Sequence, residues 1–170
     1  MSTILDPIKV WEDLHKIPEL AMQEVQTAAY IAKALTDLGI EVQTGIGGTT
    51  GVMGIIQGAE PGPVVLLRAD MDALPFTIDG KECAIHACGH DSHSAMLLAA
   101  ASRLKDHVKK GTLKLLFQPA EEGVRGARPM AESGIVDDAN WLVGSHIGGN
   151  FKPGEICVQT GGFLASTKFD

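Results

Sequence analysis

Between positions 86 and 93 the chain reads His86-Ala87-Cys88-Gly89-His90-Asp91-Ser92-His93, which places three histidines, a cysteine and an aspartate within eight positions. Imidazole, thiolate and carboxylate together suit zinc or a neighbouring transition ion, whereas magnesium and calcium prefer all-oxygen shells. So dense a set is unusual for a surface loop. The apolar run from Ala95 to Ala101 directly behind it reads as the body of a buried helix. The cluster therefore occupies the mouth of a helix, where loop backbone, helix N-terminus and ligands can converge.

Three apolar runs elsewhere read as buried strands: Val64 to Leu67, Leu113 to Phe117 and Trp141 to Gly144. Each is followed by side chains that could do chemistry. After the first comes Arg68-Ala69-Asp70-Met71-Asp72, after the second Gln118-Pro119-Ala120-Glu121-Glu122, and after the third Ser145-His146. Helical stretches separate the strands, and this alternation predicts an α/β fold with right-handed crossovers and a largely parallel sheet. Ligands bind such sheets at the carboxyl ends of the strands, so one site assembled from four separated segments accounts for all of these residues. A thiolate at Cys88 could bridge two ions. The adjacent Glu121 and Glu122 point in different directions, so one serves as a ligand and the other as a general base for the attacking water.

The remaining elements frame this site. Asp6-Pro7 starts a helix that stops near Pro18, and a second helix runs from about Glu19 to a left-handed cap at Gly39. Short strands are expected at 40–43 and 52–57, turns at 45–51 and 60–63, and helices at 92–109 and 126–133, the last closed by Gly134. The glycine-rich 45–51 stretch does not open a helix, which disfavours a phosphate loop. His15, His93 and His107 read as ordinary helix or loop histidines, Cys83 and Cys157 as loop and strand thiols, and Asp70 equally as a strand-end turn or a site residue.

With 170 residues, 45% hydrophobic and 21% charged, the chain can build one core, and its net charge of −7 keeps it soluble. No basic run is longer than Lys109-Lys110, which argues against nucleic acid as a partner. No apolar stretch approaches the roughly 18 residues of a membrane span. The start, Met1 to Pro7, lacks the features of an export signal, and three cysteines are an odd number for a disulfide framework. A cytoplasmic location is the expectation.

Taken together, Arg68 to Pro75, His86 to Asp91, Gln118 to Glu122, His146 and the earlier His15-Lys16-Ile17-Pro18-Glu19-Leu20 resemble the M20 metallopeptidase family. They are similar to its branch of amidohydrolases acting on N-acyl amino acids, which includes hippurate, auxin-conjugate and aminobenzoyl-glutamate hydrolases. The resemblance implies a three-layer α/β/α, zinc-exopeptidase-like catalytic domain, here truncated, with a mostly parallel central sheet. It implies two divalent metal ions (zinc, manganese, cobalt or nickel) held by Cys88, His90, Glu122 and His146, with Glu121 as the base. Asp72 would steady a ligand histidine and Asp91 would orient His90.

On the same resemblance, residues 1–160 correspond to the N-terminal portion of the catalytic domain. Residues 161–170 correspond to the hinge and start of a second domain used for dimerisation, so the full-length form is expected to be a homodimer or larger. Family members later supply a last ligating histidine, and the 170-residue chain alone is therefore expected to be inactive. The implied substrate is a small N-acyl amino acid. Two rival readings stand beside this one: Cys88 as a nucleophile paired with His86 or His90, and a non-catalytic or partner-dependent metal-binding fragment.

Overall fold

The computed structural model describes residues 4–123, 125–149 and 152–158. The expected hinge at 161–170 lies outside the described residues. Helix α1 (Pro7–Leu14) begins as its sequence dictates: the Asp6 side chain accepts the Ile8 N–H at 3.0 Å, Pro7 takes the first turn, and Val10 and Leu14 bury one face. Helix α2 (Val25–Asp37) starts later than its periodicity predicts. Glu19 does not begin it but caps it from outside, its carboxylate accepting the Gln26 and Thr27 amides at 3.1 and 2.9 Å. Leu20 meanwhile bridges to Ala73, so this segment is extended. Gly39, at φ +76°, follows the helix as expected.

Strands β1 (Glu41–Thr44), β2 (Val52–Gln57) and β3 (Glu60–Asp70) come next, then a hairpin of β4 (Leu74–Ile78) and β5 (Lys81–Ile85). The turn expected at 60–63 is instead the start of β3, where an irregularity in register between Glu60 and Val64 accommodates Pro61 and Pro63. The hairpin was not anticipated, although Asp79-Gly80, both with positive φ, is a strong two-residue turn signal. Helix α3 (His90–Leu104), β6 (Lys110–Gln118), α4 (Ala127–Glu132) and β7 (Trp141–Gly144) complete the order. Helix α3 begins two residues earlier than expected, at His90, because Gly89 in the left-handed region (φ +81°) turns the chain directly into it. It also ends earlier, at Leu104, and residues 105–109 lead into β6.

The main sheet has the order β1-β2-β6-β3-β7. β6, β3 and β7 run parallel, while β1 and β2 add antiparallel pairings at one edge. Alternation along the strands splits the core between two faces. Val52, Leu113, Leu115 and Phe117 pack with α1, α2 and α3; Met53, Leu66 and Leu116 pack with Met130 of α4. This is the three-layer arrangement, with β3 central among the parallel strands. β7 differs from the expected buried strand: it lies at the sheet edge, with Trp141, Leu142 and Val143 all exposed. Among the described residues no helix is long and apolar enough to cross a membrane.

Candidate metal centre

Parallel pairing puts the carboxyl ends of three strands side by side, with Asp70 of β3 opposite Gln118 of β6 and Arg68 opposite Gly144 of β7. The chemistry that follows each strand therefore converges. The loop from β5 into α3 adds Cys88, and the first turn of α3 adds His90.

His90 is fully buried. Its Nδ1 lies 3.1 Å from Asp72 Oδ1, and a carboxylate can only accept, so the proton on Nδ1 is donated to Asp72 and Nε2 is the nitrogen left for an ion. That Nε2 is buried without a hydrogen-bond partner, 3.7 Å from Asp70 Oδ2 and 3.8 Å from Glu122 Oε1. A bare, buried nitrogen beside carboxylates is what a metal ligand needs, because an unpaired buried polar atom is otherwise costly. Asp72 also accepts the Glu122 amide at 3.0 Å through Oδ2, tying the β3 end to the turn after β6.

That turn is held in an uncommon conformation. Ala120 is fully buried at φ +51°, and its N–H donates to Glu24 Oε1 at 2.9 Å, while Thr50 Oγ1 donates to Glu24 Oε2 at 2.6 Å. The backbone thus presents Glu122 inward, half-buried, and Glu121 outward, exposed. Glu24 is a positioning residue that the sequence did not reveal, since a glutamate near a helix start ordinarily reads as solvated.

Ligand atoms of Cys88, His90 and Glu122 lie within 4.8 Å of one another, as do those of Asp70, His90, His93 and His146. His146 belongs to the second group only, although its Nε2 lies 3.5 Å from Cys88 Sγ. Cys88, His90, Glu122 and His146 thus fall in two overlapping groups that share His90. Asp70 and His93 already bind each other, Nδ1 to Oδ1 at 2.6 Å. The expectation for Asp91 needs correction: its Oδ2 meets His15 Nδ1 at 2.6 Å and its Oδ1 accepts the Ser92 amide, so it faces α1 rather than His90.

The electrostatics of the cluster suit a cation. Burial, the hydrogen bond to Glu122, and the charges of Glu122, Asp70 and Glu121 push the Cys88 thiol up to about 12. Burial disfavours charge on His90, but the Asp72 hydrogen bond and the surrounding carboxylates outweigh it and raise that group too. A divalent ion that takes the Cys88 sulfur must therefore displace its proton. Cobalt affinity is expected to rise about tenfold per pH unit near neutrality for each proton released, measurable by titration at two pH values. An affinity independent of pH would contradict the assignment of Cys88.

Burial pulls the Asp70 carboxyl upward, but the His93 hydrogen bond and the charges of Arg68 and His90 prevail and hold it at about 2, below its ordinary 3.8. A depressed carboxyl stabilises the fold above its unfolded value and loses that contribution as pH falls through its folded one. Asp70 should contribute on the order of 2 kcal/mol at neutral pH. The stability gap between wild type and Asp70→Asn, from urea midpoints, should then shrink on acidification between about pH 5 and about pH 2.

A buried imidazole, a thiol and carboxylates converge at the C-terminal edge of a parallel sheet, a donor set suited to divalent transition ions. Residues 66–161 match peptidase family M20/M25/M40, and the chain belongs to that family. It is 40% identical over 171 residues to thermostable carboxypeptidase 1 of Saccharolobus solfataricus, covering 94% of this chain and 43% of the relative. It is likewise 40% identical over 170 residues to the IAA-amino acid hydrolase ILR1-like 2 of Arabidopsis thaliana, covering 93% of this chain and 38% of the relative. Among solved structures, the Bacillus subtilis YXEP protein, described as a dinuclear metal binding peptidase from the M20 family, superposes with a TM-score of 0.76 at 38% identity, covering 82% of this chain and 42% of that one. The chain spans less than half the length of these relatives.

Proposed function

We propose that the protein hydrolyses the amide bond of N-acyl amino acids at a centre of two divalent ions. The observation that carries the proposal is the bare, buried Nε2 of His90, which belongs to both groups of converging ligand atoms. Cys88, His90, Glu122 and His146 would hold the ions, with zinc, manganese, cobalt and nickel matching this donor set. When bound, the ions supply Lewis acidity toward the substrate carbonyl and lower the pKa of the attacking water. Glu121, exposed beside Cys88, takes the proton of that water on its carboxylate and returns it to the leaving amine. Asp72 keeps the His90 ring in the tautomer that leaves Nε2 bare.

The relatives' names support the substrate class. A carboxypeptidase and a hydrolase of an IAA-amino acid conjugate both cleave an amide whose amine side is an amino acid with a free carboxylate. A nucleophilic role for Cys88 would leave Glu121, Glu122 and His146 without a function. Release of amino acid by the full-length form from a panel of N-acyl amino acids, followed with and without chelator and after restoring each metal, tests the proposal. Chelator-sensitive release restored by metal is expected. Turnover that survives chelation but is abolished by thiol alkylation would overturn it in favour of the cysteine mechanism.

A further inference from the structure

His146 stands on an irregular segment. β7 ends at Gly144, and residues 145–148 have neither helix nor strand. Two contacts pin this segment. The Ile147 N–H donates to His93 Nε2 at 2.9 Å. The Ile147 side chain lies over Gly89, so close that a β-carbon on Gly89 would come within 2.2 Å of Ile147 Cδ1.

The protonation of His93 follows from its partners. An amide N–H can only donate, so Nε2 must be bare, and the ring proton lies on Nδ1, where Asp70 Oδ1 accepts it at 2.6 Å. Asp70 is itself fixed, since Arg68 Nη1 donates to its Oδ2 at 2.6 Å and the rest of the guanidinium grips Gln118 Oε1 at 2.7 and 2.9 Å. His93 is 1% exposed at its side chain and has no lone pair left for an ion. At the carbonyl of the same residue, the His146 Nδ1–H donates to Ile147 O at 2.6 Å, which leaves His146 Nε2 free to face Cys88. Whatever moves the Ile147 backbone therefore moves the His146 ring.

Resting on the metal centre described under Proposed function, we propose that His93, oriented by Asp70, is a positioning residue for His146: by accepting the Ile147 amide proton it holds the segment that aims this imidazole at the centre. His93 is thus neither a ligand nor an ordinary helix histidine.

Two substitutions separate accepting the amide from filling space. In His93→Gln the side-chain oxygen reaches the position of Nε2 and can still accept from Ile147, whereas His93→Asn reaches only the position of Nδ1. Cobalt titration of the full chain should give an affinity within about threefold of wild type for Gln and about 10–100-fold weaker for Asn, the usual effect of removing an outer partner of a ligand. The thiolate-to-cobalt absorption of Cys88 should persist in both, with the visible ligand-field bands altered only in Asn. Equal affinities for wild type and a folded Asn variant would overturn the role of His93 alone. Wild-type protein that binds no cobalt would overturn the metal reading, and this role with it. Long-range proton–nitrogen NMR of the wild type needs no substitution: a proton on Nδ1 of His93 is expected, and a proton on Nε2 would overturn the proposal even if both variants failed to fold.

Discussion

Replacing His90 with alanine is expected to weaken cobalt or zinc binding by more than about 100-fold, beyond the 10–100-fold usual for loss of an outer partner. His90 is the ring shared by both groups of ligand atoms, it is wholly buried, and its Nε2 has no protein partner to compete with an ion. Asp72→Asn provides the comparison. An asparagine can still accept the His90 proton through its oxygen, but it loses the charge that favours a metal-bound imidazole, so its loss should fall within that 10–100-fold range. Titration of both variants, with far-UV circular dichroism to verify folding, reads the difference. A folded His90→Ala protein with wild-type affinity would show that the ions sit elsewhere.

In the full-length form, Glu121→Gln should lower kcat for N-acyl amino acid hydrolysis by about 10²–10⁴-fold, the usual contribution of a positioned proton transfer, while leaving metal content unchanged. The division of labour between the adjacent glutamates comes from the backbone. Ala120 in the left-handed region, anchored by buried Glu24, turns Glu122 toward His90 and Glu121 toward solvent. Glu122→Gln should show the reverse pattern, with metal affinity falling together with turnover. Wild-type turnover in a metal-loaded Glu121→Gln enzyme would remove this residue from the proton path.

Much of this centre was legible in the sequence because strand ends in a parallel sheet are places of convergence. Three apolar runs, each followed by charged or imidazole side chains, were enough to place Glu122 beside Cys88 and His90, and His146 Nε2 within 3.5 Å of Cys88 Sγ. What escaped depends on contacts distant in sequence. Asp91 looked like a support for His90 because it is adjacent, yet successive helical residues do not face each other, and it pairs instead with His15, 76 positions away. His93 looked ordinary because nothing local announces Asp70 on one side and the Ile147 amide on the other. Glu24 gives no hint that it caps a turn 96 positions later. The hairpin at 74–85 was different: Asp79-Gly80 carried the signal in plain view.

The exposure of β7 has a similar lesson. Trp141-Leu142-Val143 is as apolar as an internal strand, and hydrophobicity alone predicts burial, yet none of the three joins either core cluster among the described residues. Its pairing with β3 still sets His146 beside Cys88. The strand's place in the site follows from register rather than from burial.

Anomalous diffraction from crystals of the zinc-loaded protein, collected at the zinc edge, tests the central claim most directly. The account predicts peaks in contact with Cys88 Sγ, His90 Nε2, Glu122 and His146 Nε2, with Asp70 and His93 still joined to each other. A peak bound instead by Asp70 and His93, or no peak near His90, would contradict it.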